Sequence, residues 1–118
     1  MKRMNGGIMY EQRDIVLMPF PYTDLSGAKQ RPALIISNKK INKTGDRICC
    51  LITSQPPIEG IELTEEAFEK GDLQFQSWIK PHRLFTIHEK IINKKLCTIT
   101  ARFHERVARR IQEYVVKN

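Results

Sequence analysis

No stretch of this 118-residue chain approaches the roughly 18 consecutive apolar residues of a membrane-spanning helix, and residues 1–10 lack the apolar run of a secretory signal. The chain therefore reads as a soluble, cytoplasmic protein with no membrane partner. Cysteine is scarce: Cys49, Cys50 and Cys97 are an odd number, the first two would point to opposite faces of a strand, and no CxxC or Cys/His ligand spacing occurs. That pattern predicts reduced thiols, and it offers neither a disulfide framework nor a structural metal. Acidic residues are also short, 13 against 20 Lys plus Arg, for a net charge of +7. Such a balance favours phosphates, acidic proteins or anionic surfaces over cationic partners, although a merely solvated basic surface gives the same number. Internal repeats, low-complexity tracts and interdomain linkers are missing too, and 118 residues suffice for one core but not two. A single domain over 1–118 is expected. Its residues 1–10, with three methionines and Gly6-Gly7 but no periodicity, read as a flexible extension in which Met9 is an alternative start.

What the chain does carry is concentrated in residues 18–37. This stretch begins inside an apolar run, opens into polar residues around Gly27, and closes on Arg31-Pro32 before a second apolar run. It reads as two strands joined by a loop longer than the about 2 to 5 residues that a hairpin connection needs. Loops longer than their connection requires are where binding and catalytic residues gather. Arg31 stands where the loop re-enters the sheet, and Pro32 biases it toward an extended backbone, so its guanidinium is presented from a fixed base.

Residues 15–20 and 32–37 are apolar on both faces of a strand, as in a sheet covered on each side. Gly45-Asp46 marks a turn, and 47–54 forms a third strand that ends in Thr53-Ser54 and is stopped by Gln55-Pro56-Pro57. A brief strand at 61–63 precedes Thr64-Glu65-Glu66, an N-cap with two acids in the first turn, and Gly71, which together predict a helix of about two turns. Strand character resumes over 73–79, but Pro81 places Lys80-Pro81-His82-Arg83 at a sheet edge or bulge. Short strands at 84–87, 90–92 and 96–99 lead to Thr100, the cap of a last helix. On that helix Phe103, Val107, Ile111, Tyr114 and Val115 form one apolar stripe, and Arg102, Arg106, Arg109 and Arg110 stay off it. Short strands without regular βαβ alternation predict a small, curved, mostly antiparallel sheet, closed or nearly closed into a barrel.

Several segments resemble the MazF/PemK-type toxins of toxin-antitoxin pairs. They are Asp14-Ile15-Val16-Leu17-Met18-Pro19-Phe20-Pro21-Tyr22-Thr23-Asp24, Lys29-Gln30-Arg31-Pro32-Ala33-Leu34-Ile35-Ile36-Ser37, Ile52-Thr53-Ser54-Gln55, Gly71-Asp72-Leu73, Ser77-Trp78-Ile79-Lys80-Pro81 and Lys95-Leu96. The resemblance implies an SH3-like β-barrel with a short helix and a C-terminal helix, forming a homodimer. It further implies metal-independent and cofactor-free cleavage of single-stranded RNA at short sequences, with 2′,3′-cyclic phosphate and 5′-hydroxyl ends. In the family a cognate antitoxin blocks the site. Carried over residue by residue, the family's Arg before Pro is Arg31 and its Thr at the end of the third strand is Thr53. Several members have an acid or a His five or six positions before the Arg. Those places hold Ser26 and Leu25 here, with Asp24 one step further away. Where some members carry an Arg and an Asp, this chain has Lys80 and His82, and Arg13 stands where a Gly before Asp-Ile-Val is usual.

Such a reaction needs an acceptor for the 2′-OH proton, donors for charge on the phosphorane oxygens, and a proton for the leaving oxygen. Arg31 suits the second demand, and a guanidinium is a poor base. Thr53 is either a phosphate contact or a strand-end cap. His82 and Asp24 are the alternative proton acceptors, His82 being equally readable as part of a basic rim with Lys80 and Arg83. Tyr22 is the candidate stacking side chain for a base, with Ser54 and Gln55 as weaker contacts and Lys29, Lys80 and Arg83 for phosphates. Trp78, the single tryptophan, reads as core or as a subunit contact, and His88 and His104 as surface residues. Two rival functions share this architecture. A gyrase-poisoning toxin would need a Trp near the C-terminus, where the chain has Val115-Val116-Lys117-Asn118. A non-catalytic RNA-binding barrel would not need Arg31 and Thr53 brought together.

Overall fold

The computed structural model describes residues 9–20 and 29–118. Seven strands follow in order: β1 (Asp14–Phe20), β2 (Lys29–Ile35), β3 (Asp46–Thr53), β4 (Ile61–Glu62), β5 (Phe68–Lys70), β6 (Trp78–His88) and β7 (Lys94–Ile99). Helix α1 (Lys39–Asn42) lies between β2 and β3, and α2 (Ala101–Val115) follows β7. The strands make one antiparallel sheet in the order β4-β6-β3-β2-β1-β7-β5. Its two outer strands, β4 and β5, are joined by residues 63–67 alone. A flat sheet of this size holds its outer strands about 29 Å apart, whereas the chain from Glu62 to Phe68 spans at most about 21 Å. The sheet must curl, and the expected curved barrel is present as a seven-stranded half-barrel closed over by a C-terminal helix.

Both faces of the curled sheet are apolar, which is why its central strands read as unbroken hydrophobic runs. Ile15, Leu34, Cys50, Ile52, Ile61, Ile79 and Ile99 pack on one face with Phe103 and Val107 of α2. Val16, Met18, Phe20, Ala33, Ile35, Cys49, Leu51 and Ile87 fill the other. Thr100 caps α2 by accepting from the Phe103 N–H at 3.0 Å. The apolar stripe of α2 runs past its contact with the sheet: Phe103 and Val107 are buried and Ile111 packs against them, but Val115 is exposed. Each fully buried side chain of this kind contributes about 1.5–3 kcal/mol.

Three expectations from local signals give way, two of them to sheet pairing and one to a turn. In place of a two-turn helix after Thr64 there is one 3₁₀ turn, Glu65–Ala67, because Thr64 makes no side-chain cap and Phe68 is drawn into a ladder with Ile99 of β7. Gly71, at φ +72°, ends a strand instead of a helix. The separate strands expected at 73–79 and 84–87 are one long β6 that begins at Trp78 and runs through Pro81. It does so by a bulge: Lys80 pairs with Leu51 and Leu84 with Cys50, so residues 81–83 have no opposing partner on β3, and the N–H that Pro81 lacks is not missed. The strand expected at 90–92 is a 3₁₀ turn over Glu89–Ile91. Gly45 turns at φ +97° as expected, and a Cβ there would meet His88 Nε2 at 2.8 Å.

Arg47, fully buried on β3, was not singled out from sequence. Its Nε donates to the Tyr10 carbonyl at 2.9 Å, Nη1 to the Asn42 and Asp46 carbonyls at 2.8 Å, and Nη2 to the Glu89 carboxylate at 3.0 Å. One guanidinium thus ties the chain before β1, α1 and the turn after β6 to the middle of the sheet.

Arg13 adopts φ +85°, a region costly for any residue with a Cβ, which explains the glycine that resembling sequences carry there. Its side chain holds the Glu69 carboxylate and the Ile99 carbonyl, each at 3.0 Å. Arg13→Ala loses these bonds and keeps the strain; Arg13→Gly loses the bonds and relieves it. The Gly variant should therefore be the more stable of the two by about 1 kcal/mol in urea denaturation. Equal midpoints, or a more stable Ala variant, contradict this account.

Candidate functional site

Three residue pairs, Ala33 with Leu51, Leu34 with Cys50 and Ile35 with Cys49, set the register between β2 and β3. The ladder ends there, and Arg31 and Thr53 lie two residues beyond its last pair on the adjacent strands β2 and β3. Arg31 is opposite Met18 of β1, Thr53 opposite Trp78 of β6, and Trp78 opposite Glu62 of β4. Met18 with Arg31, and Thr53 with Trp78 and Glu62, thus stand as two cross-strand sets that together make a broken row across the sheet. Their chain neighbours Ile52, Ile79 and Ile61 point into the cluster under α2, so the row points to the opposite face. Lys80, paired with Leu51, belongs to the same face one row inward, and Lys29, paired with Phe20, lies one row outward.

Along the row Met18 is fully buried, whereas Arg31, Thr53, Trp78 and Glu62 are partly exposed. Arg31 Nε is buried and has no hydrogen-bond partner among the described residues. A buried donor left unpaired costs about 1–3 kcal/mol, and more when charged, so this N–H is held at a cost to stability. Thr53 Oγ1 accepts from the Gln55 N–H at 3.1 Å, forming the turn that carries exposed Ser54 and Gln55. A hydroxyl that accepts one bond still has its own proton to donate, so the turn cap leaves the Thr53 O–H available as a donor. Glu62 accepts from Gln76 Nε2 at 2.6 Å.

The other candidates lie apart from the row. His82 sits in the β6 bulge with its ring edge-on to Tyr114 of α2, the centroids 6.4 Å apart. The Tyr114 hydroxyl donates to Glu59, whose carboxylate is 3.8 Å from Arg110. Partial burial and the Glu59 carboxylate hold the Tyr114 phenol above its usual value. Arg83 is exposed beside His82. His88 Nδ1 accepts from the Lys90 N–H at 3.1 Å as a turn cap. Tyr22 and Asp24 lie outside the described residues. Cys49, Cys50 and Cys97 are free and buried, their thiols pushed up to about 12, chiefly by burial, so they are poor nucleophiles at neutral pH. Among the described residues no three His, Cys, Asp or Glu side chains converge as metal ligands.

Sequence reasoning missed Trp78 and Glu62 as members of the row. The signal that finds them is the alternation Trp78, Lys80 against Ile79, Pro81, which places the tryptophan on the face of Lys80 instead of in the core.

A family model described as PemK-like, MazF-like toxin of type II toxin-antitoxin system matches residues 11–115. No curated protein matches the sequence. Among solved structures, MazE-MazF (Form-III) from Deinococcus radiodurans is similar at 17% identity and a TM-score of 0.72, covering 91% of this chain and 96% of its own. An endoribonuclease in complex with its cognate antitoxin from a mycobacterial species follows at 12% identity and 0.66, covering 92% and 99%. The Mycobacterium tuberculosis toxin MazF-mt6 is similar at 15% identity and 0.66, covering 86% and 94%. At these identities the structures establish a shared fold.

His104, expected at the surface, is partly buried on α2, and its Nε2 has no partner among the described residues. Burial lowers its pKa, a hydrogen bond with the Ile36 backbone opposes the shift, and the Arg13 charge adds to it. The folded ring binds a proton less tightly than the unfolded one. The unfolded state therefore takes up more protons once pH falls below about 6.5, and stability drops from there through the folded value. Urea midpoints of the wild type should fall between pH 7 and pH 5, and those of His104→Gln should fall less. Parallel falls rule His104 out as a source.

Proposed function

The chain belongs to the PemK-like, MazF-like toxin family of type II toxin-antitoxin systems, and on that premise we propose that it is an endoribonuclease that cuts single-stranded RNA at short sequences. What supports this reading is that Arg31, whose Nε has no partner among the described residues, and Thr53 share one sheet face at the neighbouring ends of β2 and β3. A ribose 2′-oxygen attacks the neighbouring phosphorus, an O2′–P bond forms, the P–O5′ bond breaks, and a 2′,3′-cyclic phosphate and a 5′-hydroxyl result. Arg31 stabilises charge on the phosphorane oxygens and protonates the departing 5′-oxygen, and the Thr53 hydroxyl donates to a phosphate oxygen. Lys29 and Lys80, on the same face, contact flanking phosphates without reading sequence, and Ser54 and Gln55 contact the strand from the turn beyond Thr53.

We assign the 2′-OH proton to the carboxylate of Asp24. His82 is turned to α2, away from Arg31, which leaves Asp24, between β1 and β2 in the sequence, as the acceptor. Tyr22, in the same stretch of sequence, offers a ring for stacking. The protein acts as a homodimer whose groove crosses both subunits, since one small barrel has little surface with which to grip several nucleotides. A cognate antitoxin neutralises it by covering that groove, in cytoplasm where mRNA is the target.

The deciding experiment incubates purified protein with a long RNA in EDTA. Cleavage to cyclic-phosphate ends is expected, and binding without cleavage would instead make the protein a non-catalytic RNA-binding barrel. Arg31→Ala should lose 10²-fold or more in rate, about 3 kcal/mol, as when one preorganised donor is removed. A folded Arg31→Ala protein of near-wild-type activity overturns the assignment. In the same assay a carboxylate acceptor stays ionised below about pH 6. His82→Ala should therefore leave the rate and its pH profile unchanged while Asp24→Asn abolishes cleavage, and the reverse pattern moves the role to His82.

A further inference from the structure

Trp78 is the only tryptophan of the chain, and its position is unusual for a residue with so much apolar surface to bury. Its flanking residues Ser77 and Ile79 are buried, but Trp78 itself is partly exposed, on the face that carries Arg31 and Thr53. Cross-strand neighbours stand about 5 Å apart, so Trp78 adjoins Thr53 on the face that Arg31 shares. On its far side is Glu62, whose carboxylate is oriented by Gln76 Nε2 at 2.6 Å. A hydroxyl, an indole and an oriented carboxylate therefore follow one another along a single line, on the face that carries Arg31.

We propose that this end of the row is a base-reading subsite: the nucleobase adjoining the scissile phosphate stacks on Trp78, and Glu62, held by Gln76, reads its edge. The inference rests on the RNA-cleaving reading above and extends it from phosphate chemistry to sequence preference. Unpaired bases of single-stranded RNA are recognised by stacking on aromatic rings and by hydrogen bonds to their exposed edges. Stacking alone tolerates every base, because each has a π-face. Discrimination comes from the carboxylate, which only accepts hydrogen bonds and has lone pairs left after the bond from Gln76. The subsite therefore prefers a base with an exocyclic amino group, as a carboxylate does when it accepts from cytosine N4. Uracil has no exocyclic amino group, and its one donor on that edge, N3–H, is flanked by two carbonyl oxygens that Glu62 repels. The basic side chains in the neighbouring rows, Lys29 and Lys80, hold the backbone of the same strand.

The test uses a dye-labelled, 2′-O-methylated oligonucleotide of the cleaved sequence, which binds without being cut. Anisotropy reports binding, and the single tryptophan reports stacking directly. Quenching of Trp78 fluorescence is expected in step with the anisotropy change. On cleavable RNA, Trp78→Leu should raise KM about tenfold or more and affect it more than kcat, with Trp78→Phe restoring most of the loss. Glu62→Gln should bring the rates for an amino-bearing base and for uracil at the adjoining position toward equality. A complex seen by anisotropy with unchanged tryptophan emission overturns the proposal, as does unchanged KM in a folded Trp78→Leu protein. If Trp78→Leu fails to fold, the wild-type quench and the Phe variant still decide. Lack of both binding and RNA cleavage by the wild type is a different failure, that of the RNA reading itself, and the subsite falls with it.

Discussion

Residues 63–67 join the two outermost strands of a seven-stranded sheet, and that short tether governs most of what the molecule can be. With its edges drawn together the sheet has to curl, and a curled sheet encloses side chains on both faces. The apolar cluster under α2 and the cluster around Met18 and Leu51 are the two results. The ring contact between Phe20 of β1 and Phe85 of β6, centroids 5.6 Å apart although β2 and β3 lie between their strands, measures how tightly one end is coiled. Curling also aligns the strand ends, so that residues far apart in the chain become neighbours along a row.

The two arginines on β2 and β3 show how one residue type takes opposite roles in the same sheet. Arg47 is wholly enclosed and uses four of its five N–H donors, on three backbone carbonyls and a carboxylate. A buried guanidinium so paired fastens α1 and the flanking turns to β3. Arg31 keeps a buried Nε with no partner among the described residues and stands on a partly exposed row. An unpaired buried donor lowers stability, and such costs concentrate where a ligand supplies the missing partner. Counting partners, more than counting charges, distinguishes the two arginines.

The bulge in β6 makes a similar division among neighbours in sequence. Lys80 remains on the Arg31 face, opposite Leu51, while His82, two residues on, meets Tyr114 on α2. A regular strand would have kept the two on one face. The residues 81–83 that have no opposing partner shift the alternation, so a basic cluster that looks continuous in the chain is split between two sides of the molecule.

Much of this was legible in the residues themselves. Doubly apolar runs at β1, β2 and β3, the Thr100 cap and the stripe on α2 depend on period and local chemistry, which the chain order displays directly. The Arg31-Pro32 entry and Thr53 at a strand end were legible for the same reason. What the sequence could not decide depends on pairing between distant segments. Phe68 joined β7 and dissolved an expected helix; the bulge at Pro81 turned His82 away from the row; Arg47 found its four partners in three separate segments. Trp78 and Glu62 entered the row by register alone. Local patterns determine whether a segment is a strand and which residues alternate along it, but the register against a neighbouring strand sets which side chains meet. Register is a property of the assembled sheet, fixed by the fit of two apolar faces, so only the tertiary structure placed Thr53, Trp78 and Glu62 in a line on the face that carries Arg31.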